Sequence, residues 1–165
     1  SGSVNISFTI VAILLIERVG RKSLLMIGGL GQAVMLGCLA ILFSSGTIGT
    51  DGNLLLPGNN GRYALIAANG YIAFFAFTWG PVMWVMLGEM FSNRFRGAAL
   101  ALAGLVQWGS NFLITITFPI MLAGLGLGVS YGIYAGFGVV AFIVVRSTVT
   151  ETKGKTLEDI SREQE

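Results

Sequence analysis

No Asp, Glu, Lys or Arg falls within five apolar stretches of this 165-residue chain, at residues 3–16, 24–43, 63–87, 98–122 and 129–145. A helix needs about 20 mainly apolar residues to cross the hydrocarbon core of a bilayer, and every stretch but the first approaches or reaches that length. Hydrocarbon offers no partner to a free N–H or C=O, so such stretches must be helices that satisfy their own backbone. Charged residues make up 11% of the chain, against about 25% in a soluble domain. The chain therefore reads as an all-α integral membrane protein, with a membrane part over residues 1–146 and a polar tail over residues 147–165. Its first stretch begins at the first residue, with no initiator Met and no basic region ahead of it. It is expected to be neither a signal peptide nor a natural amino terminus, but the start of a piece of something longer.

The charges orient these spans. Nine of the ten basic residues lie at residues 17–22, at residues 88–97 and from residue 146 onward, separated by pairs of spans, and only Arg62 lies on the other side. Lys and Arg accumulate in cytoplasmic loops, so the three stretches are expected inside, with an external start and a cytoplasmic carboxy terminus. Residues 44–62 then form an external loop dense in Gly, Asn and Ser, and residues 123–128 (A-G-L-G-L-G) a tight external turn. Thr156, Leu157, Glu158 and Asp159 resemble a capping box that opens a short helix in the tail. On the inner side, Glu89 ends the third span and Glu151 follows the fifth, on the same surface as Arg18, Arg21 and Arg96. Two readings are open for these charges. They fix topology and snorkel, or they lock the inner ends of helices together through contacts that an alternating-access machine breaks on opening inward.

Several chemistries are excluded. Histidine is absent, which removes His metal sites, Ser-His-Asp catalysis and imidazole relays. The single cysteine, Cys38, cannot form a disulfide within the chain and is expected as a small buried apolar side chain. The glycine runs at residues 28–31 and 124–128 do not complete G-x-G-x-x-G, and the net charge of +2 is too small and too dispersed for nucleic acid. Proton-driven transport needs a group that titrates inside the membrane. A coupling carboxylate, if the parent protein has one, must lie outside this chain.

Two segments carry polar or aromatic chemistry inside the spans. Residues 79–84 read W-G-P-V-M-W. Pro81 removes a backbone donor and crowds the preceding turn, so a kink is expected at Gly80 and Pro81. At about 100° per residue, Phe77, Gly80, Pro81 and Trp84 would share a face. In the fourth span, Gln107, Ser110, Asn111 and Thr115 follow i, i+3, i+4, i+8 and form one polar stripe bordered by Trp108. Amides facing lipid are costly, so the stripe faces other helices or a cavity. It is either helix–helix glue or a site for a neutral, hydroxyl-rich ligand that stacks on indole and pairs with amides. Gly132 and Gly136 form G-x-x-x-G, a signature of close helix packing.

Taken together, these residues resemble the carboxy-terminal half of a sugar porter of the major facilitator superfamily. Residues 17–22 match the family's [D/E]-R-x-G-R-[R/K] loop. Gly80, Pro81, Trp84, Glu89, Phe91, Arg96 and Gly97 match G-P-x-x-W-x-x-x-x-E-[I/M]-F-P-x-x-x-R-G, with Ser92 in place of the usual Pro. Glu151 to Gly154, Leu157 and Glu158 match P-E-T-K-G-x-x-L-E-E, with Thr150 in place of Pro. The resemblance implies a partial major facilitator fold, in which the five spans are helices eight to twelve of a twelve-helix transporter. It implies a multi-pass protein of the cell (inner) membrane that moves a monosaccharide by alternating access and is not an enzyme. Gln107-Trp108 is more similar to the bacterial proton-coupled members than to facilitative carriers, so symport is expected, with facilitative uniport or a non-transporting packing fragment as the alternatives.

Carried over by position, Trp84 would stack on or hydrogen-bond the sugar, Gln107 and Asn111 would contact its hydroxyls, and Trp108 would line the cavity. Phe75 matches a cavity aromatic of the family. On an ideal helix it lies about 180° from Trp84, so that role requires a break to rephase the helix. Arg18, Arg21, Glu89, Arg96 and Glu151 would form the cytoplasmic charge network. The implied partners are the sugar, the lipid bilayer, the missing amino-terminal half and protons handled by residues outside this chain. No cofactor, metal or nucleic acid is implied.

Overall fold

The computed structural model describes residues 19–48, 54–91 and 94–149. The first apolar stretch, Arg18, Glu151 and the capping-box residues lie outside them. Four helices follow in order: α1 at Arg21–Ser44, α2 at Asn60–Phe77, α3 at Trp79–Met90 and α4 at Arg96–Thr148. Between α1 and α2, where the turn-rich sequence is expected to be loop, a two-residue strand β1 (Thr47–Ile48) pairs antiparallel with β2 (Leu54–Leu55). Asn60 Nδ2 donates to Ser45 Oγ at 3.0 Å, tying the start of α2 to the end of α1.

Helix α1 has 24 residues, with a mean hydropathy of 2.1 over an 18-residue window, and at 1.5 Å per residue it is about 36 Å long, enough to cross the roughly 30 Å hydrocarbon core. Helix α4 has 53 residues, which as one rod would measure about 80 Å. It is two spans. Gly126 has φ 78° and ψ 169°, a conformation that only a residue without Cβ enters easily, and the backbone reverses there. The Phe118 ring lies 6.1 Å from those of Tyr131 and Tyr134, whereas thirteen residues of straight helix would separate Phe118 from Tyr131 by about 20 Å.

The third apolar stretch is not one continuous helix either. It breaks at Thr78 (φ −127°, ψ −90°), three residues before the expected kink at Pro81. A proline in a helix interior costs the carbonyl four residues back its donor, here that of Phe77. Ending α2 at Phe77 and restarting at Trp79 puts Pro81 in the first turn of α3, where N–H groups have no intrahelical partner anyway. The new helix opens with Val82 N–H on the Thr78 carbonyl at 2.9 Å. The Thr78 hydroxyl, fully buried, donates back to the Phe74 carbonyl.

Helix α1 is the centre of the packing. Toward its start, Leu24 and Leu25 pack with Val82 and Met86 of α3 and Val145 of α4. Toward its end, Leu39 packs with Ala64 and Ala67 of α2. The second arm of α4 runs antiparallel along α1 through small residues: Gly128 meets Ser44, Gly132 meets Ala40, Gly138 meets Ala33 and Phe142 meets Gly29. A Cβ on Gly138 would lie 3.0 Å from that of Ala33, so the backbones approach because the side chain is missing. Gly136 has nothing near its Cβ position. The packing set is therefore Gly128, Gly132 and Gly138; of the expected pair, Gly132 packs and Gly136 does not. Cys38 is exposed among the described residues, not buried.

Candidate functional site

The break at Thr78 decides which aromatics meet. On a continuous helix Phe77 would share a face with Trp84, and Phe75 would point away. With α3 rephased, Phe77 turns toward the core beside Leu25 and Val82, its ring 5.5 Å from that of Phe74. Phe75 instead joins Gly80 and Trp84 in the wall of a cavity of about 1180 Å³. Gly80 makes the approach of Phe75 feasible, because a Cβ there would stand 3.3 Å from the Phe75 carbonyl oxygen.

The opposite wall is the first arm of α4. Gln107, Ser110 and Asn111 line the same cavity, and Gly104, one turn before Gln107, leaves room for the Trp84 ring, whose Cη2 lies 4.0 Å from the Cβ position there. The hydroxyls of the stripe are satisfied locally: Ser110 Oγ donates to the Val106 carbonyl and Thr115 Oγ1 to the Asn111 carbonyl, both at 2.8 Å. The amides are not. Gln107 Oε1 is buried with no hydrogen-bond partner, and no described residue bonds the Asn111 side chain. Among the described residues neither amide is paired across a helix interface, and both stand beside two aromatic rings.

Trp108 is not brought to this cavity. It is 74% exposed, about 100° around α4 from Gln107, on a face that no described residue covers.

At the other end of α3, Arg21 and Glu89 form a forked ion pair. Arg21 Nη2 donates to Glu89 Oε1 at 2.7 Å and Nε donates to Oε2 at 3.1 Å. Two parallel charge-assisted bonds fix direction as well as distance. The pair joins the first residue of α1 to the penultimate residue of α3, and both side chains are largely buried, 15% and 33% exposed. Arg96 stands at the start of α4 with a buried Nε that has no hydrogen-bond partner. Arg18 and Glu151 lie outside the described residues.

Two further side chains stand out. Trp79 opens the W-G-P-V-M-W segment, and its Nε1 donates to the Leu25 carbonyl at 3.1 Å and pins α3 to α1. Gln32 sits midway along α1 with a buried, unpartnered Nε2. An amide in the middle of an apolar span is the signal that would have found it.

The chain is similar to known proteins. The model of the family described as "Sugar (and other) transporter" matches residues 1–163. A glucose transport protein of Synechocystis is 45% identical over 160 residues, covering 97% of this chain and 34% of that protein. The D-xylose-proton symporter of Escherichia coli is 41% identical over 165 residues, covering 96% of this chain and 31% of that protein. The inward-open structure of the E. coli xylose transporter XylE superposes with a TM-score of 0.84 at 40% identity, covering 98% of this chain and 34% of that one. The chain thus spans about a third of the length of the relatives it matches.

Proposed function

Because the chain belongs to the sugar transporter family of the major facilitator superfamily, whose members are carriers in the membrane and not enzymes, we propose that it is the carboxy-terminal part of a monosaccharide carrier working by alternating access. It supplies one wall of a central site whose remainder comes from residues outside this chain. The single observation that carries this reading is the unpartnered Gln107 Oε1, buried in the wall of a cavity that also presents Trp84 and Phe75. A sugar ring stacks its apolar face on indole while its hydroxyls donate to and accept from amides, which takes up both the rings and the open amide. In this reading Trp84 and Phe75 are the stacking surfaces, and Gln107 and Asn111 are the hydroxyl partners. Trp108 lies outside this cavity, on another face of α4.

The carrier is a proton symporter, and its coupling carboxylate lies outside this chain, since no acidic residue sits in the spans. The relatives named for glucose transport and for D-xylose-proton symport support the substrate class and the coupling. Arg21 and Glu89, with Arg18, Arg96 and Glu151, form the cytoplasmic latch that opens as the site turns inward. The test is uptake of labelled D-glucose and D-xylose into proteoliposomes holding the full-length protein, with and without an inwardly directed proton gradient. Uptake of at least one sugar is expected, accelerated by the gradient. No uptake of any monosaccharide would remove the reading, and uptake indifferent to the gradient would remove the symport.

A further inference from the structure

A second cavity, of about 550 Å³, lies between α1, α2 and both arms of α4. Trp79 lines both cavities and is the wall they share. The second is built differently from the first. Six aromatic side chains face it, namely Tyr71, Trp79, Phe118, Tyr131, Tyr134 and Phe137. The polar groups at its wall are Gln32, whose Nε2 is buried without a partner, and three tyrosine hydroxyls that bond to no described residue. Gln32 and Tyr71 lie near the middle of their helices, so the cavity is at mid-membrane depth.

The unpaired donor restricts the occupant. A purely apolar molecule such as a lipid tail would leave Gln32 Nε2 unsatisfied in a low-dielectric interior, which is costly. Water would satisfy it, but the volume is many times the roughly 30 Å³ of a water molecule, and a water needs two to four polar partners. Most of the wall here is apolar. A sugar would bury many hydroxyls against few partners. We propose that this cavity is a second small-molecule site, distinct from the one at Trp84, that takes a flat aromatic ligand carrying a carbonyl acceptor: an aryl ketone or hydroxylated aryl ketone. Its rings stack against the tyrosine and phenylalanine side chains at offset or edge-to-face geometry. Its carbonyl accepts from Gln32 Nε2, and phenolic hydroxyls exchange hydrogen bonds with the tyrosines. The proposal stands on the helix packing and does not depend on the substrate of the first cavity.

The probe is 4,4′-dihydroxybenzophenone, which has this chemistry and cross-links to nearby C–H bonds under ultraviolet light. Full-length protein in lipid nanodiscs is irradiated over a range of probe concentrations, and the labelled peptides are mapped by mass spectrometry. Saturable labelling is expected within residues 114–118 and 131–141, unchanged by excess D-glucose or D-xylose. It should fall at least tenfold in Gln32→Leu, which removes the donor at similar volume, and in Ala68→Phe, which fills the cavity. Gln32→Asn, which keeps a donor, should lose less. Labelling that never saturates means that the probe only partitions into lipid, and overturns the proposal. So does labelling displaced by sugar, which places the probe beside Trp84, and so does saturable labelling indifferent to both Gln32→Leu and Ala68→Phe in variants that elute as folded monodisperse protein.

Discussion

At the scale of the residue, three side chains with one chemistry have different fates. Gln107 and Gln32 each keep a buried amide atom without a partner, and each faces a cavity. Asn69, by contrast, donates to the Leu65 carbonyl one turn back at 2.8 Å and is spent on its own helix. An amide left open inside a membrane protein costs free energy, so the two open ones mark places where something else completes the bonding. Replacing Gln107 with Ala in the full-length carrier removes about 1–1.5 kcal/mol of hydrogen bonding to bound sugar, or roughly a tenfold loss of affinity. Trp84→Ala removes the stacking surface and should cost at least as much. Both should reduce sugar uptake severalfold with expression unchanged; normal uptake in both would end the site assignment. The polar stripe was legible in the sequence because i, i+3, i+4 spacing alone puts Gln107, Ser110 and Asn111 on one face. The pairing of Phe75 with Trp84 was legible only as a condition. Its fulfilment turns on the dihedral angles of Thr78, and a residue that looks helical in isolation gives no sign that the break falls there rather than at Pro81.

At the scale of the element, the second arm of α4 rests on α1 through glycines, and the four-residue spacing visible in the sequence holds for Gly128 and Gly132 but fails one step further on. Gly136 belongs to the G-x-x-x-G match but faces open space, while Gly138, outside the match, lies against Ala33. Spacing gives a face and not its partner; that is decided by the crossing of the two helices. A leucine at Gly138 must push the helices apart and should cost roughly 1–3 kcal/mol, as other overpacked interiors do. It should lower the melting temperature in detergent and the folded yield, whereas Gly136→Leu should leave both nearly unchanged. Equal melting of the two variants would contradict the packing. The fork between Arg21 and Glu89 acts on elements too, joining α1 to the helix that carries Trp84. Glu89→Gln removes one charge of a largely buried bidentate pair, on the order of 1–2 kcal/mol, and so shifts the ratio of inward-open to outward-open carrier about 5- to 30-fold. Cysteine accessibility from the two sides of the membrane reads this shift. Exchanging the partners, Arg21→Glu with Glu89→Arg, should return the ratio toward its original value if the pair itself is the latch.

At the scale of the molecule, the two arms of α4 differ in how much of the chain they touch. The second arm is packed along α1. The first carries Leu105, Trp108 and Phe112 at 72%, 74% and 65% exposure, and it is this arm that bears Gln107 and Asn111. A wall that presents amides on one side and a nearly bare tryptophan on the other needs a partner to be a site, and the chain covers only about a third of the relatives it matches. Ligand sites bury 70–90% of a small ligand's surface, which one wall cannot do. The chain alone, purified in detergent, should therefore give no sugar heat in titration calorimetry up to about 10 mM sugar, a ceiling that corresponds to roughly 3 kcal/mol of binding. The full-length protein under the same conditions should bind, and Trp84→Ala or Gln107→Ala should weaken it. Sugar binding by the isolated chain with the affinity of the whole protein would mean that the cavity between α3 and α4 is complete in itself. The exposed face of the first arm would then need another explanation, as a surface that meets lipid and nothing else.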